Sequence, residues 1–284
     1  MSPHPHGLAH DLTTLLRTVP DRRQTLRWLL AGAAAPLAGC GGGGEVSIGG
    51  IGTSTGSTSS SDSTTTTVSS CAPIPEETAG PYPADGSNAN SNGLANALSL
   101  SGIVRSDIRS SIAGASGVAA GIPLTITLQL VNTANSCANL AGYAVYLWHC
   151  TRDGLYSLYS SGVTGENYLR GVQVSDSGGK LSFLTIFPGC YAGRMPHIHF
   201  EVYPSLSVAT GAGNKIKTSQ IALPTATCQE VYATSGYGNS ATNLAGISFA
   251  SDNVFSDGTS LQLATVSGNT TTGYSASLVV GISA

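Results

Sequence analysis

The chain has 284 residues, of which only 10% are charged and 36 are glycine, and its formal net charge is −3. With no basic patch and so little charge, it is neither a nucleic-acid binder nor a coiled coil. Beyond residue 40 the chain keeps 8 Lys and Arg against 13 Asp and Glu, so that part is acidic, near −5.

The first predicted element is an address. Arg22 and Arg23 stand just before the apolar run 28–37, a pattern that resembles a twin-arginine export signal. The run closes on Leu37-Ala38-Gly39-Cys40, which is similar to a lipoprotein cleavage box and predicts a lipid on Cys40. It is about half the ~20 apolar residues that a membrane-spanning helix needs. Residues 41–70 are nearly all Gly, Ser and Thr, with Glu45 and Asp62 the only charges. Such a segment cannot bury enough apolar surface to order itself, so a flexible tether is expected, with a root-mean-square reach of about 30 Å. The expected organisation is therefore an export signal over 1–40, a tether over 41–70 and one folded domain over 71–284, exported to the periplasm or cell envelope. Any membrane contact runs through the lipid on Cys40 alone.

Short β-branched and aromatic runs, bounded by Gly, Asn, Asp and Ser, recur through the folded part. They lie at 124–131, 143–150, 180–186, 198–203, 260–266 and 274–282, and they predict an all-β fold, a sandwich of mainly antiparallel strands with long loops. The run 143–150 is apolar on both faces and reads as a central strand. Asp176-Ser177-Gly178-Gly179 carries turn residues and predicts a hairpin between Val172 and Leu181. Beyond Cys40, five cysteines remain: Cys71, Cys137, Cys150, Cys190 and Cys228. In an exported chain these predict disulfides, with one thiol left over and the connectivity open.

His197-Ile198-His199 is the sharpest local signal. Residues i and i+2 of a strand share a face, so both imidazoles can serve one metal ion. Six histidines occur, three of them in the export segment, while His149 falls in the predicted central strand. No cysteine pair stands near, so the remaining ligands must be oxygen or phenolate donors, and eleven tyrosines are available. Phenolates are hard anionic donors that favour Fe(III).

Three blocks together carry a family resemblance. They are Asp153-Gly154-Leu155-Tyr156-Ser157, then Tyr168-Leu169-Arg170-Gly171-Val172-Gln173, then the run 185–200 with Phe187-Pro188-Gly189-Cys190-Tyr191 and Arg194-Met195-Pro196-His197-Ile198-His199. In order and spacing the set resembles the intradiol ring-cleavage dioxygenases. Glu77-Thr78-Ala79-Gly80-Pro81-Tyr82 resembles that family's entry segment, and Tyr146-Leu147-Trp148-His149-Cys150 its central strand in secreted members. The resemblance implies a non-haem Fe(III) cofactor held by Tyr156, Tyr191, His197 and His199. It also implies a small aromatic diol and O2 as substrates, and cleavage between the two hydroxyl-bearing carbons to a muconate-type dicarboxylate. Tyr191 is then the ligand that leaves to take a substrate proton, Arg194 the residue that steadies negative charge on the ring, and Gln220 a pocket residue. Cys190 departs from the large aromatic residue common in the family, and Cys228 has no counterpart. A Cys190–Cys228 bridge would reshape the pocket wall.

Two other readings use the same residues. His197, His199 and Glu201 share one strand face and would make a two-histidine, one-carboxylate site for a divalent metal. A noncatalytic surface-binding sandwich on a Ser/Thr-rich stalk is the other, since one fold hosts many functions.

Overall fold

The computed structural model describes residues 71–284. The expected export signal, the lipid site at Cys40 and the tether lie outside the described residues. Eleven strands follow in chain order: β1 (Asp85–Asn90), β2 (Gly93–Asn96), β3 (Pro123–Asn132), β4 (Ala138–Asn139), β5 (Ala144–Trp148), β6 (Arg170–Val174), β7 (Lys180–Ile186), β8 (His197–Tyr203), β9 (Lys217–Ala222), β10 (Thr265–Asn269) and β11 (Gly273–Ile282). Two short helices, α1 (Thr225–Tyr232) and α2 (Ser240–Ala245), lie between β9 and β10. Among the described residues no helix is long and apolar enough to cross a membrane.

Nine of these strands form an all-β sandwich, and β1 and β2 pair separately as a two-stranded sheet. One sheet runs β6-β5-β8-β9 and is antiparallel throughout. The other runs β10-β11-β3, with β7 and the short β4 pairing the remaining edge of β3, and its β11–β3 pair is parallel. Val145 and Leu147 of β5 and Ile198, Phe200 and Val202 of β8 meet Leu124, Ile126 and Leu128 of β3 in the sandwich core. Each such side chain, fully buried, contributes about 1.5–3 kcal/mol.

The first sheet is covered on its other face as well. Ala144, Tyr146 and Trp148 alternate with the core residues of β5 and join a second cluster with Tyr156 and Tyr203. This explains why 143–150 reads apolar on both faces: β5 is an interior strand with all five residues buried. The even-numbered face of β5 and the odd-numbered face of β8 lie on that second side, so His197 and His199 point into a closed layer between the sheet and its covering loops.

Residues 103–108 tie the two sheets together at one edge. Val104 bridges Val172 of β6, and Asp107 bridges Leu184 of β7, each in parallel. Both edges are thereby covered, which removes unpaired strand edges on that side.

Three expectations are corrected. Asp176 does build a tight turn, with its Oδ1 accepting from the Gly178 and Lys180 amides at 2.8 Å each. The strands it joins do not pair, however: β6 belongs to one sheet and β7 to the other, so the turn is a crossover between layers. The predicted strand at 260–266 is mostly turn, because Gln262 and Leu263 both bond back to Thr259, and only its last two residues enter β10. Cys190 and Cys228 do not bridge. Cys71 pairs with Cys137, while Cys150, Cys190 and Cys228 are free thiols buried in the packed interior.

Candidate metal centre

The antiparallel register sets a row of side chains across the first sheet. Arg170 opposes Trp148, Trp148 opposes His199, and His199 opposes Gln220. Opposed residues of antiparallel strands share a face. Trp148 accordingly lies flat on His199, with ring centroids 4.9 Å apart and planes 4° from parallel. That stacking locks the imidazole, whose neighbour His197 sits one pleat along β8.

Loops bring the tyrosines to this row. After β5 the chain turns at Thr151, whose Oγ1 accepts from the Asp153 and Leu155 amides. Gly154 has a φ of +81°, and a Cβ there would stand 3.0 Å from the Cβ of Tyr191. A glycine is therefore required for the two tyrosine loops to approach. Tyr191 is aimed by its own loop, since Cys190 donates its N–H to Ser240 Oγ at 2.9 Å and accepts from Asn243 Nδ2 at 2.7 Å. Helix α2 thus clamps the backbone beside Tyr191.

The four predicted ligands meet end to end. Tyr156 Oη lies 3.2 Å from His199 Nε2, His199 Nε2 lies 3.1 Å from His197 Nε2, and Tyr191 Oη lies 3.2 Å from His197 Nε2. Donors bound at about 2.0–2.1 Å around one ion stand about 3.0–3.4 Å from one another. The donor set therefore has the spacing of a shared centre, and its atoms could hold one metal ion. His197 Nδ1 meets the Met195 carbonyl at 2.6 Å, which leaves Nε2 free to present its lone pair to that centre.

Electrostatics point the same way. Burial first, then the nearby Arg194, holds His197 well below the ordinary histidine range; burial first, then His197, does the same for His199. That shift favours the neutral imidazole, the form that binds a metal. Burial and then the Tyr191 phenol push Tyr156 well above the ordinary tyrosine range. Such a phenol ionises only when a strong cation compensates its desolvation, which a multivalent metal supplies.

Arg194 and Gln220 are brought to the same place. Arg194 Nη2 donates to Gln220 Oε1 at 2.7 Å, and Gln220 Nε2 donates to the Thr78 carbonyl at 2.9 Å. Burial works against the Arg194 charge, but the Tyr191 phenol and the Asp252 carboxylate hold it above its ordinary value. Residues 76–82 run over the site as a strap: Glu77 donates its amide to the Thr218 carbonyl, and Tyr82 packs 5.0 Å from Tyr156.

Glu201 does not join the histidines. Its Oε1 pairs with Lys215 at 2.6 Å and its Oε2 accepts from Tyr203 at 2.8 Å. Among the described residues no group of three or more His, Cys, Asp and Glu could hold a metal ion. The two-histidine, one-carboxylate reading is therefore not assembled, and a four-donor set needs the phenols.

Sequence reasoning missed several residues that shape the site. Ser240, Asn243 and Asp252 support it from more than 40 residues beyond His199, and Trp148 was read only as part of a buried strand. The one available signal was Trp148, already inside the central-strand motif.

A dioxygenase family model matches residues 106–209, the segment that carries Tyr156, Tyr191, Arg194, His197 and His199. An intradiol ring-cleavage dioxygenase from Tetranychus urticae is 25% identical, with a TM-score of 0.57 over 75% of this chain and 95% of that one. A second dioxygenase crystal structure, also 25% identical, has a TM-score of 0.56 over 75% of this chain and 94% of its own. A catechol 1,2-dioxygenase from Pseudomonas arvilla C-1 is 17% identical over 73% of this chain and 61% of its own, with a TM-score of 0.44. No curated protein sequence matches the chain significantly. The matched segment and the likeness to the Tetranychus urticae enzyme make this chain similar to the intradiol ring-cleavage dioxygenases in its fold and in the segment that carries the four candidate ligands.

Proposed function

We propose that the protein is a non-haem Fe(III) enzyme that opens a catechol-type ring with O2 between its two hydroxyl-bearing carbons, yielding a muconate-type dicarboxylate. The observation that carries this reading is the run of 3.1–3.2 Å separations linking Tyr156, His199, His197 and Tyr191. Two neutral imidazoles and two phenols make a hard, oxygen-rich set suited to a ferric ion. Bound there, the ion would supply Lewis acidity to a chelating aromatic diol.

The chain's own groups do the rest. Tyr156 and His199 are buried and fixed by packing, so they are the permanent holders. Tyr191 is only partly buried, on a loop rather than a strand, and is the phenol placed to swing away and accept a diol proton. Arg194 brings a fixed positive charge to the side where Gln220 and both phenols meet, and stabilises negative charge developing on the ring. The strap at 76–82 and the Trp148 face exclude water from the histidines.

Location belongs to the same proposal. The twin-arginine pattern and Leu37-Ala38-Gly39-Cys40 support export of a folded, metal-loaded protein, held at the cell envelope by a lipid on Cys40. The test is the visible spectrum of the purified, iron-loaded protein, before and after a catechol is added under nitrogen. A tyrosinate-to-iron band that shifts with catechol, followed by ring-opened product on admitting O2, is expected. A colourless protein holding zinc, copper or no metal despite available iron would refute it.

A further inference from the structure

The structure assigns Asp252 as the positioning residue for Arg194: a buried carboxylate, far from the ligand motifs in sequence, that sets where the guanidinium points during ring cleavage. This rests on the function proposed above, since it concerns Arg194's part in that reaction.

Asp252 is fully buried, and each of its oxygens has a distinct task. Oδ1 accepts from the amides of Val254 at 2.8 Å and Phe255 at 3.1 Å, closing the residue's own turn. A serine or asparagine would close such a turn equally well. Oδ2 reaches across to another element, accepting from Arg194 Nε at 3.0 Å and from the Met195 amide at 2.7 Å. One oxygen thus grips both the side chain of Arg194 and the backbone beside it. The Met195 carbonyl then receives His197 Nδ1, so the anchored peptide also abuts a proposed ligand.

The charge matters as much as the aim. Arg194 has a side-chain exposure of 12%, so little water screens or solvates it. A guanidinium at that depth needs a carboxylate to stay there. Gln220 holds Nη2, Asp252 holds Nε, and the ring of Phe255 lies 5.9 Å beneath the guanidinium carbon. Three fixed contacts hold the guanidinium in one orientation, on the residue that stands three positions before Tyr191's partner His197. Gln220 and Asp252 both lie outside the 106–209 segment matched by the family model, so the arginine stands in that segment while its aim is supplied by the last quarter of the chain.

The experiment is a double-mutant cycle with Asp252→Ser and Arg194→Met in the iron-loaded protein. The serine retains the local turn but cannot reach Arg194. Asp252→Ser should lower kcat/KM by about 10- to 100-fold in the wild-type background, and by less than about threefold when Arg194 is already Met. A purely structural residue would cost the same in both backgrounds, and that outcome overturns the assignment. Should the serine variant not fold, the isosteric Asp252→Asn is read in the same cycle.

A second readout needs neither iron nor activity. In the iron-free protein the Arg194 Nε–H should give a slowly exchanging proton resonance, identified by its loss in Arg194→Met and absent in Asp252→Ser. Persistence of that resonance in Asp252→Ser overturns the assignment. A protein that shows the protected resonance yet cleaves no catechol overturns the proposed function, and with it the catalytic meaning of the pair.

Discussion

Arg170→Met tests how the covering layer is held over the metal-facing side of the sheet. The Arg170 guanidinium is buried and, among the described residues, bonds to no carboxylate. It donates instead to Ser157 Oγ at 3.1 Å, the Ser157 carbonyl at 3.0 Å, the Tyr82 carbonyl at 2.9 Å, the Pro83 carbonyl at 2.8 Å and Tyr146 Oη at 3.1 Å. These bonds join β6 to the strap and to the residue after Tyr156. Each charge-assisted bond is worth about 1.5–3 kcal/mol, but relief from desolving a cation offsets much of the total. The net loss is about 3–5 kcal/mol, the range for breaking a buried charge network. For a folded part of this size each kcal/mol moves Tm by about 2–4 °C, so a fall of about 10 °C is expected. Thermal unfolding followed by circular dichroism measures it, with iron content and the visible band recorded alongside. Because Ser157 adjoins Tyr156, the band should weaken even well below Tm. A variant with unchanged Tm and an unchanged band would show that the guanidinium anchors nothing, and would refute the reasoning.

Three further outcomes follow from the structure. Reducing Cys71–Cys137, or replacing both by Ser, opens a loop spanning 66 residues and should cost about 4 kcal/mol by loop entropy, read from denaturant midpoints with and without reductant; a midpoint that does not move would contradict it. Tyr156→Phe removes a buried donor while keeping the ring against Tyr82, so Tm should hold within about 1–2 °C while iron content falls about 10-fold or more by metal analysis; full iron retention would remove Tyr156 from the ligand set. His149 is buried and its pKa is pushed down to about 4 by desolvation. The unfolded chain therefore binds its proton first, so this residue's stabilisation is complete above pH 6.5 and fades by about 3 kcal/mol as pH falls to 4. His149→Gln should flatten the stability profile between pH 7 and 4, and equal slopes in both proteins would refute the attribution.

Much of the fold was legible because alternation is a local property. The runs at 124–131, 143–150, 180–186 and 274–282 became β3, β5, β7 and β11 nearly to the residue. Lys217–Ala222 escaped because Lys217, Thr218, Ser219 and Gln220 are polar, yet the last three are buried and the strand pairs across to β8, with Thr218 and Gln220 bonded to the strap. The two helices escaped because eight and six residues are too few to show a helical period against mixed neighbours. At the site, His197 and His199 were legible from strand geometry, whereas Tyr156 and Tyr191 came only from family resemblance. Nothing local to either tyrosine says that it faces a histidine on another strand.

By itself, then, the sequence determined the sandwich class, the shared face of the two histidines and the apolar character of β5, because each depends on residues within a few positions of one another. Only the tertiary structure decided which cysteine Cys71 would meet, that the turn at Asp176 would join two sheets rather than two paired strands, and that Glu201 would turn to Lys215. It alone brought Asp252 to Arg194, 58 residues away in sequence. Those outcomes depend on how layers stack and which buried charges must be compensated, and such long-range costs are settled only when the chain closes on itself.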